Sequence, residues 1–409
     1  MGGPERSGGR AGLDRRPSRS HARPMARLLL LALALAGCEL AQSDASPERP
    51  APSKPAADAA DGPERPRGAA PTVVGGEDGG LRLALPTDNR GVFEGRPEDF
   101  YMGLTMTIDS LREERWEGGQ YGFVRDEVPT VFGRRTFRRV HEGVDIAPVG
   151  RDRGGNPVDT VRTIDDGRVA YVNASAGASS YGKYVVVEHT WSDSPVYSLY
   201  AHLSETYVTA GQAVRQSAPV GKMGYTGRGL GRDRAHVHLE IAFMVNEHEP
   251  LWFAEYFGGN DLHGRFFGTN LAGVPPAELY LALREDPTLT FPEFVRSLDE
   301  GYVVDLPGRR PLDLIRRYPW LGAEAARADP ASVPAWRIAF TQEGAPIRVE
   351  VGDVEVDRPT VEGVSLGIWL TDGSTNQMLR RRGLGYEPTR RGTNYFALYA
   401  TTADGAPRW

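Results

Sequence analysis

Eight histidines lie along this chain, and five fall between positions 141 and 238. In "RRVHEGVDIAP" (138–148) His141 and Asp145 stand four residues apart within apolar flanks. The even spacing lets both converge on one point. In "HVHLE" (236–240) His236 and His238 are two apart, so on a strand they share a face with Glu240. Two neighbouring histidines on a strand face are easily explained if they meet an ion. A catalytic zinc needs about three N or O donors and an open fourth position for water. His141, Asp145 and one of His236 and His238 supply that set. Two further histidines then remain for proton transfer, His202 in "YAHL" and the other member of the pair, as metal-assisted hydrolysis requires. "HEGVD" is not His-Glu-x-x-His, so the site must be built on strands rather than on a helix. Glu240 reads either as the partner that orients a ligand histidine or as one end of a strand-surface salt bridge. His189, His248 and His263 read as ordinary polar residues.

The elements that must position these residues are β. "GRVAYV" (167–172), "KYVVVEH" (183–189), "VYSLYAHL" (196–203) and "HVHLEIAF" (236–243) are short, rich in Val, Tyr and Ile, and bounded by turn residues. The expected class is therefore mainly β, with an antiparallel sheet carrying a groove over residues 117–250 and a smaller C-terminal α+β domain over 273–409. Residues 81–116 form an N-terminal extension in which "PEDFYMGLTMTIDSLREE" suggests a short amphipathic helix. Residues 251–272 are aromatic and Gly-rich and read as a loop. In the C-terminal part, "PPAELYLALRE", "PEFVRSLDEG" and "PLDLIRRYPWLG" read as helices. "IRVEVGDVEV" (347–356) reads as a two-residue hairpin, and "VSLGIWL" and "NYFALYA" as strands.

His-x-x-x-Asp, then "YAHL", then His-x-His-x-Glu, in that order, resembles the lysostaphin-type (LytM-domain) zinc metallopeptidases, which cut peptide cross-links of bacterial cell walls. "DDGRVAYV", "SYGKYVVVEH" and the Gly-rich approach "VTAGQAVRQSAPVGKMGYTGRGLGRDRAHVHLEI" agree with the family's intervening segments. The resemblance covers residues 117–250. It implies one Zn2+ per chain, bound by His141, Asp145 and His238. It also implies that His202 and His236 orient and deprotonate the attacking water and stabilise the oxyanion. The function so implied is a zinc endopeptidase acting on peptidoglycan stem peptides or cross-bridges. The alternative is a LytM-like protein without catalysis that activates or regulates another wall hydrolase. Members of that second kind typically lack metal ligands, and all are present here.

The remaining features concern address and partners. The net charge of −6 over 409 residues argues against a nucleic-acid binder. The one cysteine, Cys38, excludes an intrachain disulfide and a multi-thiolate zinc site. It ends "RLLLLALALAGC", too short to span a bilayer, whose helices need roughly 20 apolar residues. "LAGC" resembles the bacterial lipobox, so residues 1–38 are expected to be a signal region, with Met25 the potential true start and Cys38 the lipid attachment point. Residues 39–80, rich in Pro and Ala, read as a disordered tether. The expected location is the cell envelope, anchored to its inner or outer membrane, with peptidoglycan and other wall or division proteins as partners. "GRRTFRR" (133–139) reads as a solvated basic face. "GRGLGRD" (227–233) has the glycine density of a nucleotide loop but no helical pattern after it, so its glycines are expected to let a loop fold over a groove.

Overall fold

The computed structural model describes residues 70–108, 111–129, 135–365 and 378–409. Cys38, the signal region 1–38 and the tether up to residue 69 lie outside the described residues, as do the basic side chains of 133–139 and most of "VSLGIWL". The central element is an antiparallel sheet. Its strands are β1 (Val144–Ile146), β2 (Gly167–Asn173), β3 (Lys183–Trp191), β4 (Ser194–Leu203), β5 (Ala213–Val214), β6 (Val237–Met244) and β7 (Leu271–Val274). The spatial order is β5-β2-β3-β4-β6-β7, with β1 also pairing β6. All four long strands were legible in the sequence, because β-branched and aromatic residues fill them and turn residues bound them.

Pairing register is what brings the chemistry together. On one edge of β6, His238 stands opposite Asp145 of β1; on the other it stands opposite Ala201 of β4. Alternation then gives the sheet two faces. Tyr200, Leu239, Ile241 and Phe243 point into the larger core. Ala201, Ala242 and Met244 point the other way, into an aromatic cluster with Tyr181, Tyr184 and Tyr197. His238 and Glu240 belong to this second face. Phe266 and Phe267 pack against its cluster, so the aromatic segment after β6 covers one end of that face.

The C-terminal part is α+β. A four-stranded antiparallel sheet of β8 (Tyr302–Pro307), β9 (Ala335–Phe340), β10 (Pro346–Gly352) and β11 (Thr360–Val364) runs in the order β10-β9-β8-β11. Helices α1 (Glu249–Tyr256), α2 (Pro276–Glu285), α3 (Phe291–Ser297) and α4 (Arg390–Tyr399) accompany it. Thr290 closes a capping box with Glu293 at the start of α3. One hydrophobic core runs from Leu83 and Phe100 through β6 to Phe340 and Phe396.

Several local readings change. Residues 73–75 and 82–84 form a hairpin, because Val73, Val74, Leu81, Leu83 and Leu85 supply an apolar set that the Pro/Ala-rich stretch before them lacks. The expected amphipathic helix in 97–114 is a single turn, Pro97–Phe100, followed by paired strands Leu104–Ile108 and Leu111–Arg115. Helix α1 occupies a segment read as loop. "NYFALYA" lies in α4, where Thr389 caps the helix by accepting from the Gly392 N–H; a short apolar run does not distinguish helix from strand. The hairpin expected at 347–356 does not form. Among the described residues β10 pairs only with β9, Val354 is exposed, and the chain rejoins the sheet at β11 on its far side.

Candidate metal centre

Three donor atoms converge at one end of β6. His141 Nε2 lies 3.0 Å from Asp145 Oδ1 and 3.0 Å from His238 Nδ1, and His238 Nδ1 lies 2.9 Å from Asp145 Oδ1. All three residues are buried, and they are the group among the described residues that could hold a metal ion. Two imidazole nitrogens and a carboxylate oxygen suit zinc, whose bonds of ~2.0–2.2 Å give donor separations slightly above 3 Å. The residues present therefore fit the ion that the sequence motifs imply.

Each ring is aimed by its other nitrogen. His141 Nδ1–H donates to the Gln120 carbonyl (2.7 Å), leaving Nε2 for the ion. His238 Nε2 faces Glu240 Oε1 at 2.9 Å, and the Tyr181 hydroxyl donates to the same oxygen. Glu240 is fully buried, so of its two readings the surface salt bridge falls away. Between the first two donors, Gly143 is required by space: a Cβ there would stand 2.4 Å from the Leu239 carbonyl and 3.0 Å from the His238 ring.

His202 and His236 stand beside this group. Strict alternation would put His202 on the Tyr200 face, away from His238. Its backbone is left-handed instead (φ 62°), and its ring lies 4.6 Å from that of His236 and 6.0 Å from that of His238. Such a conformation costs a non-glycine residue on the order of 1–3 kcal/mol and clusters at functional sites. His202 Nδ1–H donates to the Thr226 carbonyl (2.9 Å) and His236 Nδ1–H to the Arg234 carbonyl (2.7 Å). His236 Nε2 is buried without a hydrogen bond, 3.2 Å from Asp145 Oδ1 but poorly directed at it. Burial, reinforced by the neighbouring His236 and His238, holds the His202 imidazole well below its ordinary pKa, so it stays neutral.

The three other described histidines, His189, His248 and His263, stand apart from the donor group. His189 bridges the Asp166 carbonyl and Ser198 Oγ, its pKa lowered by burial to about 4. His263 stacks on Phe267 and bonds the Tyr184 hydroxyl. His248 precedes α1, half-buried, 3.8 Å from Glu247. A cavity of about 520 Å³ opens beside His141, lined also by Tyr181, Phe267, Arg391 and Tyr395. What sequence reasoning missed are Tyr181 and the carbonyls of Gln120, Thr226 and Arg234. A carbonyl carries no side-chain signature, whereas Gly143, central in the His-to-Asp spacing, was open to being noticed.

Residues 139–250 match the model of Peptidase family M23. Among solved structures, the chain is similar to the catalytic domain of the antimicrobial peptidase lysostaphin from Staphylococcus simulans. The identity is 21%, covering 30% of this chain and 76% of that one, with a TM-score of 0.22. It is similar to a catalytic-domain variant of the prophage-encoded M23 protein EnpA from Enterococcus faecalis, at 22% identity over 29% and 78% with a TM-score of 0.21. A zinc-containing peptidase from Vibrio cholerae gives 23% identity over 34% and 43%, with a TM-score of 0.21. No curated protein matches the chain.

Proposed function

We propose that this chain, whose residues 139–250 match the model of Peptidase family M23, is a zinc-dependent endopeptidase hydrolysing peptide bonds of bacterial cell-wall peptidoglycan. The observation that carries the reading is the mutual approach of His141 Nε2, Asp145 Oδ1 and His238 Nδ1, with two carbonyl-locked histidines alongside. His141, Asp145 and His238 would hold the zinc. When bound, it supplies a Lewis acid that polarises a carbonyl and lowers the pKa of water. His202 and His236 handle protons. With Nδ1–H committed to a carbonyl, each presents Nε2 as a base, and neutral His202 can take a proton from water and return it to the leaving amine. Once protonated, the same Nε2–H is a donor for a developing oxyanion. Tyr181 and Glu240 keep the His238 ring from turning.

The proposal extends to the ends of the chain. Cys38 carries the lipid that ties the protein to an envelope membrane, the part of the expected 39–80 tether that precedes the hairpin at 73–84 serves as the leash, and residues 273–409 complete the fold that holds the site. Cys38→Ser should leave the protein unanchored. Cell fractionation checks this, and full retention of the correctly processed variant in membranes would remove the anchor from the reading.

The central experiment is digestion of purified peptidoglycan with the zinc-loaded chain, with products identified by mass spectrometry. New amino termini are expected, and none with Asp145→Ala. A chain that releases nothing itself yet stimulates another wall hydrolase would be a regulator instead.

A further inference from the structure

The two proton-handling histidines hang from opposite ends of one segment. His202 is held by the carbonyl of Thr226 and His236 by that of Arg234. Between them runs "GRGLGRD", with Gly227 and Gly229 at positive φ. A second loop, residues 150–156, is strapped to it. The Arg151 guanidinium donates to the carbonyls of Gly155, Arg232 and Asp233, and the Tyr225 hydroxyl donates to Asn156 Oδ1. Arg232 lies over Gly155, where a Cβ would stand 3.4 Å from its Nε.

The double loop is cationic in a chain whose net charge is −6. Residues 150–156 and 226–235 carry Arg151, Arg153, Arg228, Arg232 and Arg234 against Asp152 and Asp233. Arg151 is committed to the strap. Arg153 and Arg228 are exposed and have no ion-pair partner among the described residues. Arg232 is half exposed and only 4.0 Å from Asp233. Arg228 without an ion pair and Arg232 with only a long, exposed one, on a loop that ends at both histidines, suit a bidentate anion, which on a peptide is a carboxylate.

We infer that the double loop is a subsite for a carboxylate of the substrate beside the scissile bond, with Arg228 and Arg232 as its ligands, so that the substrate is an acidic peptide. The inference takes the word substrate from the peptidase reading, but binding there does not require cleavage. Both arginines lie on the segment that supplies the carbonyls for His202 and His236. A carboxylate gripping it therefore fixes the peptide relative to the bases.

The test uses the full chain kept inactive by a chelator, and a fluorescent synthetic stem pentapeptide with free carboxylates beside its fully amidated twin. The free-carboxylate peptide should bind roughly tenfold tighter, and added salt should shrink the difference. Arg228→Gln with Arg232→Gln should abolish the preference while thermal unfolding is unchanged. Equal binding of the twins by the unmodified chain, or a preference that survives the double substitution, overturns the inference. A chain that keeps the preference but never cleaves wall upholds the subsite and removes the peptidase reading. One that cleaves and binds both twins alike does the reverse.

Discussion

At the scale of the residue, the five members of the site divide by what their removal costs. His141→Ala, Asp145→Ala or His238→Ala leaves two protein donors, and each should lose both zinc and activity. His202→Ala and His236→Ala should keep zinc and lose ~10²–10⁴-fold in rate. Metal analysis of each folded variant beside wall hydrolysis checks the division; zinc lost from His236→Ala and kept by His238→Ala would reverse the roles. A second expectation concerns pH. Burial lowers the proton affinity of His238, but the Asp145 and Glu240 carboxylates outweigh it and raise its pKa to about 9. Proton and metal compete for Nδ1. The protonated form prevails below the raised pKa, so apparent zinc affinity should fall roughly tenfold per unit as pH drops below about 9, and level off above it. Competition with a chelator of known affinity measures this, and a flat profile would separate His238 from the metal.

At the scale of the element, the sheet decides which side chains meet. β1 and β6 approach so closely at Gly143 that Gly143→Ala would drive a Cβ into the Leu239 carbonyl. The expected result is a loss of about 1–3 kcal/mol and weaker zinc binding, read by thermal unfolding and metal titration. Unchanged stability and affinity would show that the ladder can give way. The sequence made this much legible: the long strands announced themselves by composition, and period-two spacing put His236, His238 and Glu240 on one face. It did not make legible how His202 reaches them. Alternation sends that ring the wrong way, and its left-handed backbone is a property of the chain path. Nor could spacing find Tyr181, which meets Glu240 from 59 residues away. α4 was misread because Tyr395, Phe396, Leu398 and Tyr399 are apolar enough for either element, and the core packed against them decides.

At the scale of the whole molecule, the central sheet and the C-terminal part share material. β7 pairs with β6, Asn246 donates to the carbonyls of Leu398 and Thr401, and the Tyr318 hydroxyl accepts from the Met244 N–H. A fragment ending at residue 270 would lose the partner strand of β6 and bare Ile241 and Phe243, each contributing about 1.5–3 kcal/mol when fully buried. It should give no cooperative unfolding transition, by calorimetry, and hold no zinc; a fragment that does both would place the whole folding unit before residue 270. The hairpin at 73–84 is stitched to the same C-terminal material. Gly76 and Glu77 donate to the Pro287 carbonyl, Leu81 to that of Leu289, and the Tyr280 hydroxyl to that of Ala84. Tyr280 belongs to the core on the face of the sheet turned away from the histidines. Any pull transmitted along the chain ahead of residue 70 therefore enters the fold through this seam and is borne by residues 276–289. The load path bypasses the donors, so a chain pulled from ahead of residue 70 would slacken at this seam before His141, Asp145 and His238 moved apart.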